Sequence, residues 1–543
     1  MTYTEMQKSV PTKWLKSWLL LVLCSASFTV RANQADEIVI SNVGIATYYA
    51  DYGFVLPAGL TAAIVRQAGE GQLVLFPLYA ERDTIPACTA VIITGAEGTY
   101  PIEPLRGLLA TPPFDNQLRG SETETKTWGG NAYYKLAGTD ASTVMFYHGA
   151  EDGGAFTSAP NKAWLPVKLK DGEQSLPVLH LSVADAITKT DYVDANISMT
   201  KGDEMLIAST DVHIKGHGNS TWGRLKKPYK IKFDEKTAML NFPKGKPWIL
   251  LANWYDRTML RNWLAFKMGA NSKLDWTPGA DFFVLDYNGQ GKGVYELAES
   301  VNINKSRVNL PKNGVILETN SQGRITEDDW WFKTPRNLIL CVKDSDYDMD
   351  EEHLSVIEEQ VVAAESVLYG KDYLDAETGW AQYFDMESFA EWYAIQEISK
   401  NKDSRMAFSC FMTVVPGEKI KMGPLWDFDL AFGNTPTETH AANDPEGLYI
   451  ASALWIMRMM TDPQFLAMCR ERVGQMNERM PAMLDGLNAQ AVRLCDAWMT
   501  DARVWNMEEN ADNDEALRNA YAAHIKKMKQ WIISRLDWLM KNL

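Results

Sequence analysis

Apolar positions change their spacing along this chain, and each change predicts a different kind of element. Between residues 35 and about 170, short runs rich in Val, Ile, Thr and aromatic residues alternate with clusters of Gly, Pro, Asn and Asp. Runs of this kind predict strands, here at Glu37–Val43, Gln72–Leu78, Ala90–Thr94 and Thr143–Tyr147. Helical periods are scarce, so the expectation for 33–172 is an all-β, sandwich-like module. Its acids and histidines, His148 included, form no cluster.

After the turn signal Lys170-Asp171-Gly172, a second strand series opens at Leu176–Val183 and continues to about residue 345. One helix interrupts it. Behind Asp256, residues Met259, Leu260, Trp263, Leu264 and Met268 recur at helical spacing up to Gly269. Apolar residues then fall at i, i+3 and i+4 in Glu352–Leu368, Met386–Ile398, Ala453–Met480 and Asp514–Leu543. Two short strands, Phe411–Val415 and Lys419–Met422, break into this helical region. The pattern predicts an α+β chain: the β module, then one domain over 173–543, mixed α/β over 173–345 and mainly helical over 346–543.

The first 32 residues read as an export signal. Lys8, Lys13 and Lys16 precede a mostly apolar stretch from Trp18 to Val30, and Val30-Arg31-Ala32 offers small residues for cleavage. Cys24 raises a lipoprotein alternative, but the preceding Leu23 is bulky where a small residue is wanted. The expectation is an exported chain, periplasmic, cell-surface or secreted, without a membrane span after cleavage. Cleavage removes Lys8, Lys13, Lys16, Arg31 and Glu5 and moves the net charge from −16 to −19. So acidic a chain repels nucleic acid, which is excluded as a partner. Five cysteines remain, widely spaced and without a CxxC, which argues against a disulfide framework or a zinc site.

Against that acidity two segments stand out. Pro424-Leu425-Trp426-Asp427-Phe428-Asp429-Leu430-Ala431-Phe432-Gly433-Asn434 sets two carboxylates one residue apart in an apolar run. Burying both needs a neutralising group, and a hard divalent cation that also accepts phosphate oxygens would serve. Solvated strand acids or helix N-caps are the alternative. The second segment is Lys215-Gly216-His217-Gly218-Asn219-Ser220-Thr221-Trp222, running on to Lys232, with six basic residues in eighteen positions. A Gly-x-Gly turn lets backbone N–H groups approach an anion, so this is a phosphate cradle or an edge strand guarded by lysines. The Walker spacing is absent. Finally, Asp403 ends an amphipathic helix 24 residues before Asp427, with the expected strand pair between them. Phosphoryl transfer uses such an arrangement, one Asp at the attacking hydroxyl and a later one at the metal. A solvated loop acid is the plainer explanation for Asp403 alone.

These segments resemble the CotH kinase family. So do Asp256-Arg257-Thr258-Met259-Leu260-Arg261-Asn262 and Gly293-Val294-Tyr295-Glu296-Leu297-Ala298-Glu299, and the five motifs keep the family order over about 176–435. The resemblance implies an atypical, bilobal protein-kinase-like domain that binds ATP with Mg²⁺ or Mn²⁺ and phosphorylates Ser or Thr of a protein substrate. It implies Asp403 as the catalytic acid, Asp427 with Asp429 as metal ligands, and Lys226, Lys227 or Lys230 at the nucleotide phosphates, beside Asn219 and Ser220. Glu299 would pair a lysine, or else sit in a buried salt bridge. One departure is plain: kinase loops place a metal-binding Asn five positions after the catalytic Asp, and here that residue is Phe408, with Ser409 next. Asp429 or Asn401 would have to substitute. Otherwise the domain is a non-catalytic nucleotide- or ligand-binding scaffold.

Overall fold

The computed structural model describes residues 37–543 apart from 70–71, 106–112, 114–115, 122–123, 127–130, 139–143, 149–156, 169–175, 203, 509–510 and 512. The expected export segment lies outside the described residues. Among these, no helix is long and apolar enough to cross a membrane.

The N-terminal part is all β. The strand expected at Glu37–Val43 stops at Ile40, where a turn in which Gly44 N–H bonds Ser41 O at 2.9 Å leads to a further strand, Ile45–Tyr48. Ile45–Tyr48, Val91–Thr94, Thr61–Gly69 and Gln72–Tyr79 form an antiparallel sheet in that order. Side chains alternate across it. Val91 and Ile93 bury with Ile38, Ile40 and Phe54, while Ala90 and Ile92 bury with Ala163 and Leu165 of a second four-stranded sheet. The module is thus layered on both faces of one central sheet.

A closed barrel follows. Its strands are β1 Val178–Val183, β2 Val193–Lys201, β3 Glu204–Gly216, β4 Tyr229–Thr237, β5 Gly245–Leu251, β6 Ala280–Tyr287 and β7 Gln290–Glu299, in the order β1-β2-β3-β4-β5-β7-β6. A parallel pairing of β1 with β6 closes it, Val178 opposite Val284. Period-two alternation fills the interior: Leu179, Ile197, Ile214, Ile231, Trp248, Phe283 and Leu297 all bury there. The outward residues Ile249, Phe282, Val294 and Ala298 are also buried, against the helices.

Beyond the barrel, β8 Val315–Asn320, β9 Trp331–Lys333 and β10 Ile339–Ser345 join the late strands β11 Phe411–Val414 and β12 Lys421–Met422 in one antiparallel sheet, ordered β9-β10-β8-β11-β12. The parts before and after residue 345 therefore share a sheet. The helices are α1 Arg261–Ala270, α2 Glu351–Leu368, α3 Met386–Ser399, α4 Leu454–Met459, α5 Pro463–Val504 and α6 Asp514–Asn542. In α3 every residue from Ser388 to Ser399 is buried, the polar Glu391 and Glu397 included, which pair with Arg472 and Arg535.

The single helix expected over Ala453–Met480 is broken. Asp462 caps α5 through Gln464 N–H at 2.8 Å, and Pro463 takes the first turn, where its missing N–H costs nothing. Conversely, α5 does not stop at Met480 but runs through Pro481 to Val504. A proline inside a helix costs about 3 kcal/mol. The apolar stripe continues past it through Met483, Leu484, Leu487, Leu494 and Trp498, all buried, and each such side chain returns about 1.5–3 kcal/mol. All five cysteines described are free and buried. The chain is a mixed α/β molecule with a β-rich N-terminal part and a helical C-terminal part.

Candidate functional site

The end of β3, the sheet β8–β11 and the segment around Asp427 enclose a cavity of about 500 Å³, a size typical of small-molecule sites. Gly216 to Thr221 form one wall. Gly218 has φ +73°, and a Cβ there would lie 2.5 Å from Thr221 Oγ1, so this turn requires glycine. Asn219 and Ser220 are exposed at the cavity mouth, and Lys189 Nζ donates to Asn219 Oδ1 at 2.5 Å.

Asp427, Asp429 and Asp403 also line the cavity and lie near one another. Asp427 is half-buried with φ +64°, its Oδ2 accepts from Ser409 Oγ at 3.3 Å, and Asn401 Nδ2 donates to its carbonyl at 3.0 Å. Burial, then the neighbouring Asp403 charge, push its carboxyl up to about 6, against the Ser409 hydrogen bond. Asp429 is held well above the usual carboxylate range by burial, then by Asp427, Asp256 and Asp403.

The stretch after residue 253 is the bracket for these acids. Asp256 accepts from Thr258 Oγ1 at 2.6 Å and Arg261 N–H at 2.9 Å, and forms a buried ion pair with the Arg261 guanidinium. Arg261 Nε reaches across to Ala431 O at 3.0 Å. Asn262 Oδ1 accepts from Phe428 N–H at 2.7 Å, and Asn434 Nδ2 donates to Asp429 O at 2.6 Å. The backbone around both carboxylates is therefore fixed by side chains 170 residues upstream and by its own asparagine. Asp403 follows the left-handed Lys400 (φ 42°), whose ammonium donates to Asp444 O at 2.8 Å and to Ala441 O at 3.2 Å.

The cations lie on the cradle side. Lys215, Lys189, Lys230 and Lys343 all line the cavity. Burial, then Lys343 and Lys215, lower Lys230 to about 8. Lys343 Nζ pairs with Glu318 Oε2 at 2.8 Å, which raises the lysine. His217 is depressed to about 3 by burial and then by four lysines, so it is neutral at working pH. A cavity lined by both carboxylates and cations, with Arg324 acting on Asp427 and Glu318 paired to Lys343, can hold a polyanion through a divalent cation. Among the described residues, no three His, Cys, Asp or Glu side chains are grouped to hold a metal by themselves.

Of the residues singled out from sequence, Asn219, Ser220, Lys230, Asp403, Asp427 and Asp429 meet at this cavity, whereas Lys226, Lys227 and Glu299 do not line it. Lys226 is wholly buried, with Nζ 2.8 Å from Asp501 Oδ1 and 2.5 Å from Val294 O. Asp501 also accepts from Val294 N–H at 2.9 Å, and a Cβ on Gly293 (φ +81°) would lie 1.9 Å from its oxygen. The glycine of the Gly293–Glu299 motif thus admits the Asp501 carboxylate. Lys227 donates to Trp222 O at 2.7 Å and lies over the Trp222 ring. Glu299 accepts from Gly279 N–H at 3.0 Å and faces Arg307 at 3.6 Å, a buried salt bridge with an arginine in place of a lysine. Phe408 stacks on Arg324, whose guanidinium is 4.0 Å from the ring centre, and Asn401 is buried behind Asp427. Sequence reasoning missed Lys343 and Glu318, and it assigned no role to Asn262 and none to Ser409. Lys343 and Glu318 meet only through the pairing of β10 with β8, which no local spacing announces.

No curated protein matches the chain. A family model described as CotH kinase protein matches residues 212–539, more than half of the sequence and all of the cavity wall except Lys189. The chain belongs to the CotH kinase family.

Proposed function

We propose that this protein is an exported kinase that transfers the γ-phosphoryl group of ATP to a Ser or Thr hydroxyl of a protein, with the barrel side and the helical side acting as two lobes around the cavity. The observation that carries this reading is the convergence of Asp403, Asp427 and Asp429 with the Gly216–Thr221 loop, Lys230 and Lys343 on one cavity. The donor set fits a hard divalent cation: two carboxylates, mutually repelling and raised out of their usual range, beside a serine hydroxyl. Asp427 and Asp429 would hold Mg²⁺ or Mn²⁺, which when bound neutralises phosphate charge. The loop N–H groups and the lysines would bind and orient the phosphates. Asp403 would accept a hydrogen bond from the substrate hydroxyl and take its proton as attack proceeds.

Phe408, at the position of the usual metal-binding amide, favours a second reading in which the site binds Mg·ATP and transfers nothing. Full-length protein incubated with ATP labelled at the γ or the α position separates them. Transfer of γ-label alone, abolished by Asp403→Asn while nucleotide binding persists, supports the kinase. Asp427→Asn should lose both binding and transfer. Binding without transfer under Mg²⁺ and Mn²⁺ supports the second reading. Absence of any thermal shift defeats both, since a ligand at 100 times its Kd stabilises by about 2.7 kcal/mol.

A further inference from the structure

We propose that the Ser409 hydroxyl supplies the protein oxygen that completes the cation site beside Asp427, taking over from the amide that Phe408 replaces; this rests on the phosphoryl-transfer reading above. Five observations converge on it. Phe408 is not part of the cavity wall, whereas Ser409 is. The Phe408 ring is engaged with Arg324 at 4.0 Å.

Ser409 also carries a backbone that serine seldom adopts. Its φ is +53°, and Met406 just before it has φ +57°, so the stretch after Asp403 is wound twice through the left-handed region. Such conformations in residues other than glycine persist where the surroundings impose them, and they gather at functional sites. What imposes it here is the next residue. Cys410 is locked to β8, its N–H on Thr319 Oγ1 at 3.2 Å and its carbonyl accepting from Thr319 N–H at 2.9 Å.

That winding sets Ser409 Oγ 3.3 Å from Asp427 Oδ2. Two oxygens bound at right angles to an ion with bonds of about 2.0–2.1 Å are about 2.9 Å apart. The pair is thus nearly at the separation of neighbouring ligands, and a small cation needs only a slight approach. A carboxylate with a neutral hydroxyl is a hard, all-oxygen set suited to Mg²⁺ or Mn²⁺, which fill their remaining positions with water and phosphate oxygens. The other amide considered from sequence, Asn401, turns its Nδ2 to Asp427 O at 3.0 Å and does not line the cavity, and its Oδ1 is buried behind the wall without a hydrogen-bond partner.

The test is a titration of MnCl₂ into the full chain at fixed ATP, read by melting temperature and calorimetry, for the unmodified protein and for Ser409→Ala, Ser409→Gly and Ser409→Asn. Ala and Gly should need at least tenfold more Mn²⁺ for the half-maximal effect. Asn, which returns an oxygen from the same position, should stay within threefold. Glycine also relieves the positive φ, so its ligand-free melting point should not fall below that of the unmodified protein, even as its cation requirement rises. A serine that only shapes the backbone would not separate these two readouts. Ala and Gly within twofold of the unmodified protein overturn the proposal, as does an Asn loss equal to that of Ala. If the unmodified protein shows no cation-dependent nucleotide binding, the phosphoryl-transfer reading falls with it.

Discussion

Lys226 and Lys230 stand four residues apart in one basic stretch and occupy opposite environments. Lys226 has no exposed surface and is committed to Asp501, Val294 O and the face of Tyr295, 4.9 Å away. Lys230 lies on the cavity wall among other lysines, with its pKa lowered to about 8. Charge alone does not separate them; what each cation faces does. One pins the loop to α5 and the barrel, and the other is free to meet an anion. A basic cluster in sequence can thus be half architecture and half site.

The contrast breaks most sharply at Asp501. Asp501→Ala leaves Lys226 buried without its counter-charge and should cost about 3–5 kcal/mol in a urea unfolding series. Replacing both partners, Lys226→Met with Asp501→Leu, should recover most of that loss. Equal destabilisation in the single and double variants would show that packing, and not the pair, holds the loop. On the cavity side, Lys230→Met should leave the unfolding midpoint nearly unchanged. Its cost should fall on nucleotide affinity, about 1.5–3 kcal/mol for a hydrogen bond to a charged group, measured by calorimetry.

The smallest effect is a pH dependence. Asp427 is raised from 3.8 to about 6 by burial and by Asp403, so between those values the folded protein keeps a proton that the unfolded chain has released. Stability of the ligand-free protein should therefore fall as pH rises through this window, and Asp427→Asn should flatten that part of the profile. Cation-dependent binding, which needs the carboxylate, should strengthen over the same range. A wild-type urea midpoint that rises with pH there would contradict the assignment.

What was legible in the sequence was local. Asp427-Phe428-Asp429 and the Gly-His-Gly-Asn turn announce themselves by composition within a few residues, whereas Asp403 stands out only by its spacing from Asp427, and the cavity gathers all three. Strand alternation also sorts Ile231 and Phe233 inward from Lys230 and Lys232. Lys226 escapes that rule because it precedes β4, in the turn, where period two carries no information. Its partner Asp501, like Lys343 for Glu318, comes from another element, and ion-pair partners leave no periodic trace. Closure of the barrel is hidden for the same reason, since β1 and β6 are about a hundred residues apart. Pro481 misled because proline signals a helix end locally, while the buried stripe on either side decides the matter over several turns.

The length of α5 has a mechanical consequence. Its 42 residues make a rod of about 63 Å. Near one end Asp501 grips the barrel through Lys226 and Val294, and at the other Asp462 holds the indole of Trp380 at 2.9 Å. One helix, with Pro481 inside it, thus carries a contact to the barrel near one end and to Trp380 at the other. Barrel and helical part lean on one common helix, and a defect in it should be felt by both.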